Sequence, residues 1–133
     1  MITKEFPADR DAFDEVSLFV EEELDKMGCS MKASMQIAIA VEEIFVNIAS
    51  YAYPDSSGSM TLTIDCIDGA ARFRFTDRGI PFDPLAKPDP DISAAADERQ
   101  IGGLGIYMVK KSMDSVSYEY RDGENVLTFT KKI

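Results

Sequence analysis

The stretch MTLTIDCIDGAARFRF, residues 60–75, decides the fold of this chain of 133 residues. Apolar and polar side chains alternate along its first half: Met60, Leu62, Ile64 and Cys66 are separated by Thr61, Thr63 and Asp65. That period of two is typical of a strand that buries one face. Asp68-Gly69 is a strong signal for a tight hairpin turn, and Ala71, Phe73 and Phe75 then continue the alternation. The stretch predicts two antiparallel strands with a shared buried face.

Helical spacing dominates the chain before this hairpin. Residues 2–6 predict a short strand, and Asp9 predicts the N-cap of a helix that continues to about Met27 and ends at Gly28. Ser30 or Ser34 is the predicted start of a second helix, which continues to about Tyr53. Its apolar residues recur every three or four positions, at Ile37, Val41, Ile44, Phe45 and Ile48.

Between Asp77 and Gly103 the periodicity disappears, and four prolines interrupt the chain. A loop of this length in a small domain is uncommon and is often functional, so we expect a mobile lid over about residues 81–100. A short helix is predicted from Ile106 to Met113. Two further strands are predicted around Asp122-Gly123, one with alternating tyrosines and one with alternating threonines.

This order of elements predicts an α+β fold. We expect a two-layer α/β sandwich in which a mixed, mostly antiparallel sheet is covered by helices on one face. A length of 133 residues is sufficient for one core, and the sequence contains no linker or repeat. Residues 1–133 are therefore predicted to form a single domain.

Composition excludes several kinds of function. The net charge of −10 repels nucleic acid and anionic lipid, so a phosphate ligand requires backbone dipoles, a metal ion or a few placed cations. The absence of histidine excludes serine and cysteine nucleophile systems that depend on it, and also a phosphohistidine relay. The two cysteines lack metal-ligand spacing, and we find neither a signal peptide nor an apolar run of about 20 residues. We therefore expect a cytoplasmic protein without direct nucleic-acid or membrane binding.

Three motifs are candidates for chemistry. Glu43 and Asn47 are four residues apart and share one face of the second helix, where they can serve a metal ion, a water or a hydroxyl group. Asp77-Arg78-Gly79 follows a hairpin strand and places a carboxylate beside a glycine that a flat ring can approach. Gly102-Gly103-Leu104-Gly105 enters a helix and can direct several N–H groups at one anion. Taken singly, each is more often a solvated helix face, a turn or a loop end.

Together and in this order, the motifs resemble those of the GHKL ATPase superfamily, which includes gyrase, heat-shock chaperone, histidine-kinase and MutL ATPase domains. Residues 37–47 with Tyr51-Ala52-Tyr53 are similar to the first box, residues 75–84 to the second, and residues 101–106 with Met108-Val109 to the third. Within the superfamily the chain resembles the bacterial anti-sigma-factor serine kinases. Pro81 differs from the Asp-x-Gly-x-Gly form of the second box.

The resemblance implies a set of site residues. Asp77, with Gly79, would bind the adenine amino group of ATP, and Asn47 would be the Mg²⁺ ligand. Gly103, Leu104 and Gly105 would hold the phosphates, and Glu43 would be the general base toward a serine or threonine hydroxyl. Arg99 is the candidate cation for the γ-phosphate, with a solvated lid residue as an equal alternative.

The implied function is a serine/threonine protein kinase that sequesters a sigma factor and phosphorylates its anti-sigma-factor antagonist. The alternative is a non-catalytic switch that binds nucleotide and partners without phosphoryl transfer. A third possibility is an interaction domain without nucleotide. Homodimerisation is possible under all three.

Overall fold

The computed structural model describes residues 1–86 and 103–133. Within these ranges there are five strands: β1 (Ile2–Pro7), β2 (Ser59–Ile67), β3 (Ala70–Asp77), β4 (Ser115–Arg121) and β5 (Glu124–Lys132). Three α-helices accompany them: α1 (Phe13–Met27), α2 (Met31–Tyr51) and α3 (Gly103–Ser112). Each strand predicted from alternation is present, and the hairpin of residues 60–75 forms the β2–β3 pair.

The sheet has the strand order β1-β2-β3-β5-β4. All four pairings between the described strands are antiparallel, so the α+β prediction is confirmed, but we find no parallel pair of the kind that a mixed sheet requires. β5 lies between β3 and β4, and its register places Asn125 opposite Asp77. This pairing brings the C-terminal part of the chain next to the end of β3.

The core lies between one face of the sheet and helices α1 and α2. Its largest fully buried side chains are aromatic, namely Phe6, Phe45, Phe73, Phe75 and Phe129. The rings of Phe73 and Phe129 are stacked across β3 and β5, with centroids 4.9 Å apart. The opposite face of the sheet carries mostly polar side chains, as the period-two pattern predicts.

The start of α1 differs from the sequence prediction. Asp9 accepts a hydrogen bond from the Asp11 N–H at 2.9 Å, but it caps a single 3₁₀ turn, Arg10–Ala12, and α1 begins only at Phe13. The end of α1 and the start of α2 agree with the sequence: Gly28 ends α1 with a positive φ of 69°, and Ser30 caps α2. The Ser30 hydroxyl accepts a hydrogen bond from the Ala33 N–H at 3.2 Å, so the N-cap of α2 is Ser30 and not Ser34.

Helix α3 begins at Gly103, three residues before its predicted start. The predicted lid extends beyond the described ranges: residues 81–86 include a 3₁₀ turn, Pro84–Ala86, while residues 87–102 lie outside them. Among the described helices, only α2 has the length and apolar composition that could cross a membrane, a test that core helices of soluble proteins also pass. In the most apolar 18-residue stretch of α2, 33% is buried.

Candidate functional site

An open pocket lies between the second half of α2 and the sheet, and we name it the central pocket. It encloses about 440 Å³, part of which is solvent at the mouth. Its lining is mostly apolar, with polar groups at a few points: Ile44, Asn47, Ile48, Tyr51, Ala52, Phe75, Asp77, Ile80, Phe82, Pro84, Ile106, Tyr118, Asn125 and Leu127. An apolar pocket with few polar groups is typical of a small-molecule site.

Asp77 is the buried carboxylate of this pocket, with 6% of its surface exposed. Its Oδ1 atom accepts hydrogen bonds from the Gly79 N–H and from Asn125 Nδ2, both at 2.9 Å. Burial raises the pKa of Asp77 above its ordinary value, although these two hydrogen bonds oppose the rise. Among the described residues both bonds end on Oδ1, so Oδ2 can accept a hydrogen bond from a ligand.

Asn125 holds this carboxylate in place. It is also 6% exposed, and its amide nitrogen donates to the Ile80 carbonyl at 2.9 Å in addition to Asp77. Its amide oxygen accepts from the Phe82 N–H at 3.2 Å and from the Tyr118 hydroxyl. Asn125 thereby connects β5 to β4 and to the loop after β3, so the loop and the carboxylate keep one relative position.

Asn125 belongs to the site but to none of the three motifs predicted from the sequence. A signal was present, because asparagine is rare in strands and this residue is in phase with the buried Leu127 and Phe129. A polar side chain that faces the core at the end of a strand needs hydrogen-bond partners there. Tyr118 lines the same pocket, but the sequence predicts for it only a place in an alternating strand.

Replacement of Asn125 by alanine should destabilise the protein. Asn125→Ala removes hydrogen bonds to Asp77, Ile80 and Phe82 at once, and we expect the free energy of unfolding to fall by about 2–3 kcal/mol in urea denaturation. Tyr118→Phe is the control, because it removes a single hydroxyl from the same network. Equal losses in the two variants would contradict the central position of Asn125.

Gly79 lies where the loop after β3 contacts the end of α2. A Cβ atom at Gly79 would overlap the Ala52 carbonyl oxygen, and the next N–H, of Ile80, donates to that same oxygen at 2.9 Å. The Tyr53 hydroxyl accepts from the Arg78 N–H at 2.9 Å and donates to the Ser59 carbonyl at 2.7 Å. The glycine of the Asp77-Arg78-Gly79 motif is therefore required for close backbone packing.

Two glycine substitutions should differ in their effects on stability. Gly79→Ala meets backbone atoms that cannot rotate away, and we expect a loss of roughly 1–3 kcal/mol in the free energy of unfolding. Gly105→Ala meets the end of the Glu43 side chain, which can rotate, and alanine favours a helix over glycine. Its loss should be smaller, and a larger loss for Gly105→Ala in chemical denaturation would refute this interpretation.

Glu43 and Asn47 lie one helical turn apart on α2, as predicted. Asn47 lines the central pocket, whereas the Glu43 carboxylate lies against the first turn of α3, where a Cβ atom at Gly105 would overlap Oε2. Burial and the neighbouring Glu42 carboxylate raise the pKa of Glu43. Gly105 thus allows α3 to approach Glu43 closely, and it belongs to the helix and not to the preceding loop.

The structure brings most of the predicted residues to one region. Asn47 and Asp77 share the central pocket, Gly79 supports Asp77, and Gly105 contacts Glu43. Gly103 and Leu104 begin α3, and Arg99 lies outside the described residues. Within the described ranges we find no cluster of three or more carboxylate or cysteine side chains that could hold a metal. The roles predicted for all these residues stay predictions.

Comparison with known proteins identifies the family. The model of the histidine kinase-like ATPase domain matches residues 6–131. A serine/threonine-protein kinase, BtrW of Bordetella bronchiseptica, is 28% identical over 102 residues, which cover 76% of this chain and 72% of that protein. The serine-protein kinase RsbW of Listeria monocytogenes is 27% identical over 107 residues, covering 77% and 68%.

Solved structures show the same fold. A Mycobacterium tuberculosis structure with RsbU and RsbW domains superposes with a TM-score of 0.65 at 16% identity. The matched region includes 99% of this chain and 32% of that one. The Acinetobacter baumannii histidine kinase AdeS gives a TM-score of 0.51 at 12% identity, covering 99% of this chain and 68% of that one. The family match spans nearly the whole chain, and the resemblance to GHKL ATPases is confirmed. The chain belongs to the histidine kinase-like ATPase domain family.

Proposed function

We propose that this protein is an ATP-dependent serine/threonine protein kinase. It binds ATP in the central pocket, sequesters a sigma factor and phosphorylates the protein antagonist of that anti-sigma activity. Two observations support a kinase within the family: the similar proteins named as serine kinases, and the carboxylate of Glu43 beside the pocket. A module that only binds nucleotide has no need of a base at that position.

The proposal depends most on the Asp77 carboxylate. It is buried at an apolar pocket, and both of its hydrogen bonds from the described residues end on Oδ1. The exocyclic amino group of adenine is a donor on a flat apolar ring, so Oδ2 can accept from it while Ile80 and Phe82 contact the ring. On this basis, and because the family is named for its ATPase domain, we propose adenine as the base in this pocket.

The phosphates of ATP would extend from the central pocket toward α3. N–H groups of Gly103, Leu104 and Gly105 lie in its first turn, where a helix has unpaired N–H donors and a favourable dipole for anions. Arg99 is proposed to contact the γ-phosphate, and residues 81–100 to act as the lid. This use of backbone donors suits a protein of net charge −10.

Mg²⁺ fits the same arrangement through Asn47. Magnesium typically keeps several waters and binds substrate phosphates with only one or two protein oxygens, so a cluster of carboxylates is not required. When bound, the ion neutralises charge on the phosphates. Glu43, one turn away, would orient the acceptor hydroxyl and take its proton. We place the protein in the cytoplasm, as a single domain over residues 1–133, with no nucleic-acid contact of its own.

The test is phosphoryl transfer to a natural partner. The protein is incubated with Mg-ATP labelled at the γ-phosphate and with lysate of its own source, and labelled small proteins are then identified by mass spectrometry. We expect a single small protein labelled on serine or threonine. ATP binding and partner binding without any labelling would reject the kinase and favour the non-catalytic switch. Failure to bind ATP by calorimetry would reject the nucleotide site itself.

A further inference from the structure

A groove between α1 and α2 lies apart from the central pocket, and among the described residues the two share no lining residue. We name it the α1/α2 groove. It encloses about 680 Å³, including solvent at the mouth. The two helices are antiparallel neighbours, because Phe13 at the start of α1 is stacked on Phe45 in the second half of α2, while Leu24 near the end of α1 lines the groove with Met31 at the start of α2. The groove follows α2 from Met31 to Val41, a length of about 15 Å.

The floor and the two sides of this groove differ in chemistry. The buried side chains of Val20, Leu24 and Val41 form the floor. Met31 and Met35 form the α2 side and are 80% and 62% exposed. On the α1 side the exposed lining residues are acidic, namely Glu21 and Asp25. The groove is therefore apolar at its centre and negative along one edge.

Helix α2 carries more apolar surface than the core uses. Its composition would allow it to span a membrane, yet only 33% of its most apolar 18-residue stretch is buried. Part of the excess is an exposed row at intervals of four residues, formed by Met31, Met35 and Ile39, the last 54% exposed. Exposed methionine is unbranched and adaptable, and rows of it are typical of surfaces that receive a partner helix.

Charge selects among the possible occupants. Anionic lipid is repelled by a protein of net charge −10 with carboxylates at the edge of the groove. A second copy of the chain carries the same net charge and the same acidic edge. A helix with an apolar face and adjacent lysine or arginine residues satisfies both the methionine side and the carboxylate side.

We propose that the α1/α2 groove binds an amphipathic helix of a partner protein, with basic residues beside the apolar face of that helix. About three helical turns span the groove, so anchors at positions i, i+3 or i+4, and i+7 reach from Met31 to Val41. This binding requires no nucleotide, because it involves the first half of α2, whereas the central pocket involves the second half. It is therefore independent of the kinase proposal.

The probe is an 18-residue peptide of leucine and lysine with all leucines on one helical face. Affinity is measured by fluorescence anisotropy without nucleotide. We expect Met35→Ser to weaken binding by about tenfold, since it removes one of the two methionines that form the α2 side of the groove. Ile67→Ser is the matched control, because Ile67 is an exposed residue, at 42%, at the end of β2 and away from the groove. Its affinity should equal that of the unchanged protein.

Charge is tested with a second matched pair. Glu21→Lys should weaken peptide binding by several-fold, while Glu119→Lys, the same charge change on β4, should have little effect. A peptide with the same composition in scrambled order, and one of leucine and glutamate, should bind weakly or not at all. Circular dichroism verifies that each variant is folded.

Three outcomes would overturn the proposal. The first is no binding of the leucine-lysine peptide to the unchanged protein. The second is a groove variant that binds as well as its matched control; equal losses in Glu21→Lys and Glu119→Lys would mean attraction by net charge alone. The third is a dimer in sedimentation that dissociates on Met35→Ser, which would assign the groove to a second copy of this chain.

Discussion

Glu43→Gln should lower the rate of phosphoryl transfer to the protein partner by roughly 10²–10⁴, the usual range for loss of a general base. ATP affinity should stay nearly unchanged, because a base contributes to the transferring step more than to ground-state binding. Glutamine keeps the shape of the side chain beside Gly105, so the first turn of α3 need not move. Single-turnover transfer and calorimetric ATP binding measure the two effects separately.

Glu42→Gln is the matched control, since Glu42 is the exposed neighbour on the same helix. It should leave transfer nearly unchanged, and removal of its charge should lower the raised pKa of Glu43. Because that pKa is raised, the Glu43 carboxylate takes up a proton at a higher pH than an ordinary glutamate does. As the pH is lowered, the rate of phosphoryl transfer should therefore begin to fall at a higher pH than an ordinary glutamate would give. The residual rate of Glu43→Gln should not show this fall. Equal rates for Glu43→Gln and Glu42→Gln would eliminate Glu43 as the base.

Asp77→Asn should reduce ATP affinity by roughly ten- to one-hundred-fold, which corresponds to the loss of one charge-assisted hydrogen bond. The Oδ1 atom of the new asparagine can still accept hydrogen bonds from the Gly79 N–H and from Asn125. Its amide nitrogen replaces Oδ2, and because this nitrogen is a donor it cannot accept a hydrogen bond from the adenine amino group. The measurement is calorimetric titration with ATP in the presence of Mg²⁺.

Stability should not fall in the same variant. Burial raises the pKa of Asp77 in the folded protein above its pKa in the unfolded chain. As the pH rises from the unfolded-state pKa to the folded-state pKa, ionisation of this carboxyl group therefore lowers the stability of the fold. Above that interval the full cost is present, and asparagine removes it. Asp83→Asn, at an exposed carboxylate of the same loop, is the control and should leave ATP affinity unchanged. Wild-type affinity in Asp77→Asn would reject the adenine assignment.

Much of the architecture could be predicted because its signals are local. Alternation in residues 60–75 and the turn at Asp68-Gly69 are properties of neighbouring residues, and they determine the β2–β3 pair without reference to the remaining chain. The ends of α1 and α2 are similarly local, since Gly28 adopts a positive φ and Ser30 caps with its own hydroxyl. Asp9 shows the limit, because a capping side chain fits a 3₁₀ turn as well as an α-helix.

The missed features depend on contacts between distant residues. Asn125 becomes important only because β5 pairs with β3 and places it opposite Asp77. The two are 48 positions apart in sequence. The sequence predicts that Gly105 precedes a helix that starts at Ile106. Instead Gly105 lies within α3, where α3 and α2 pack so closely that a Cβ atom would overlap Glu43. Neither register nor interhelical approach can be derived from local composition.

The contact between Tyr53 and Gly58 has a consequence for how the family can diverge. A Cβ atom at Gly58 would overlap the Tyr53 ring, and that ring carries the hydroxyl that bonds the Arg78 N–H and the Ser59 carbonyl. A relative with a larger residue at position 58 needs a smaller or displaced side chain at position 53, and either change breaks both hydrogen bonds beside Asp77. Substitutions at the two positions should therefore covary among descendants of a common ancestor, and neither position should drift alone.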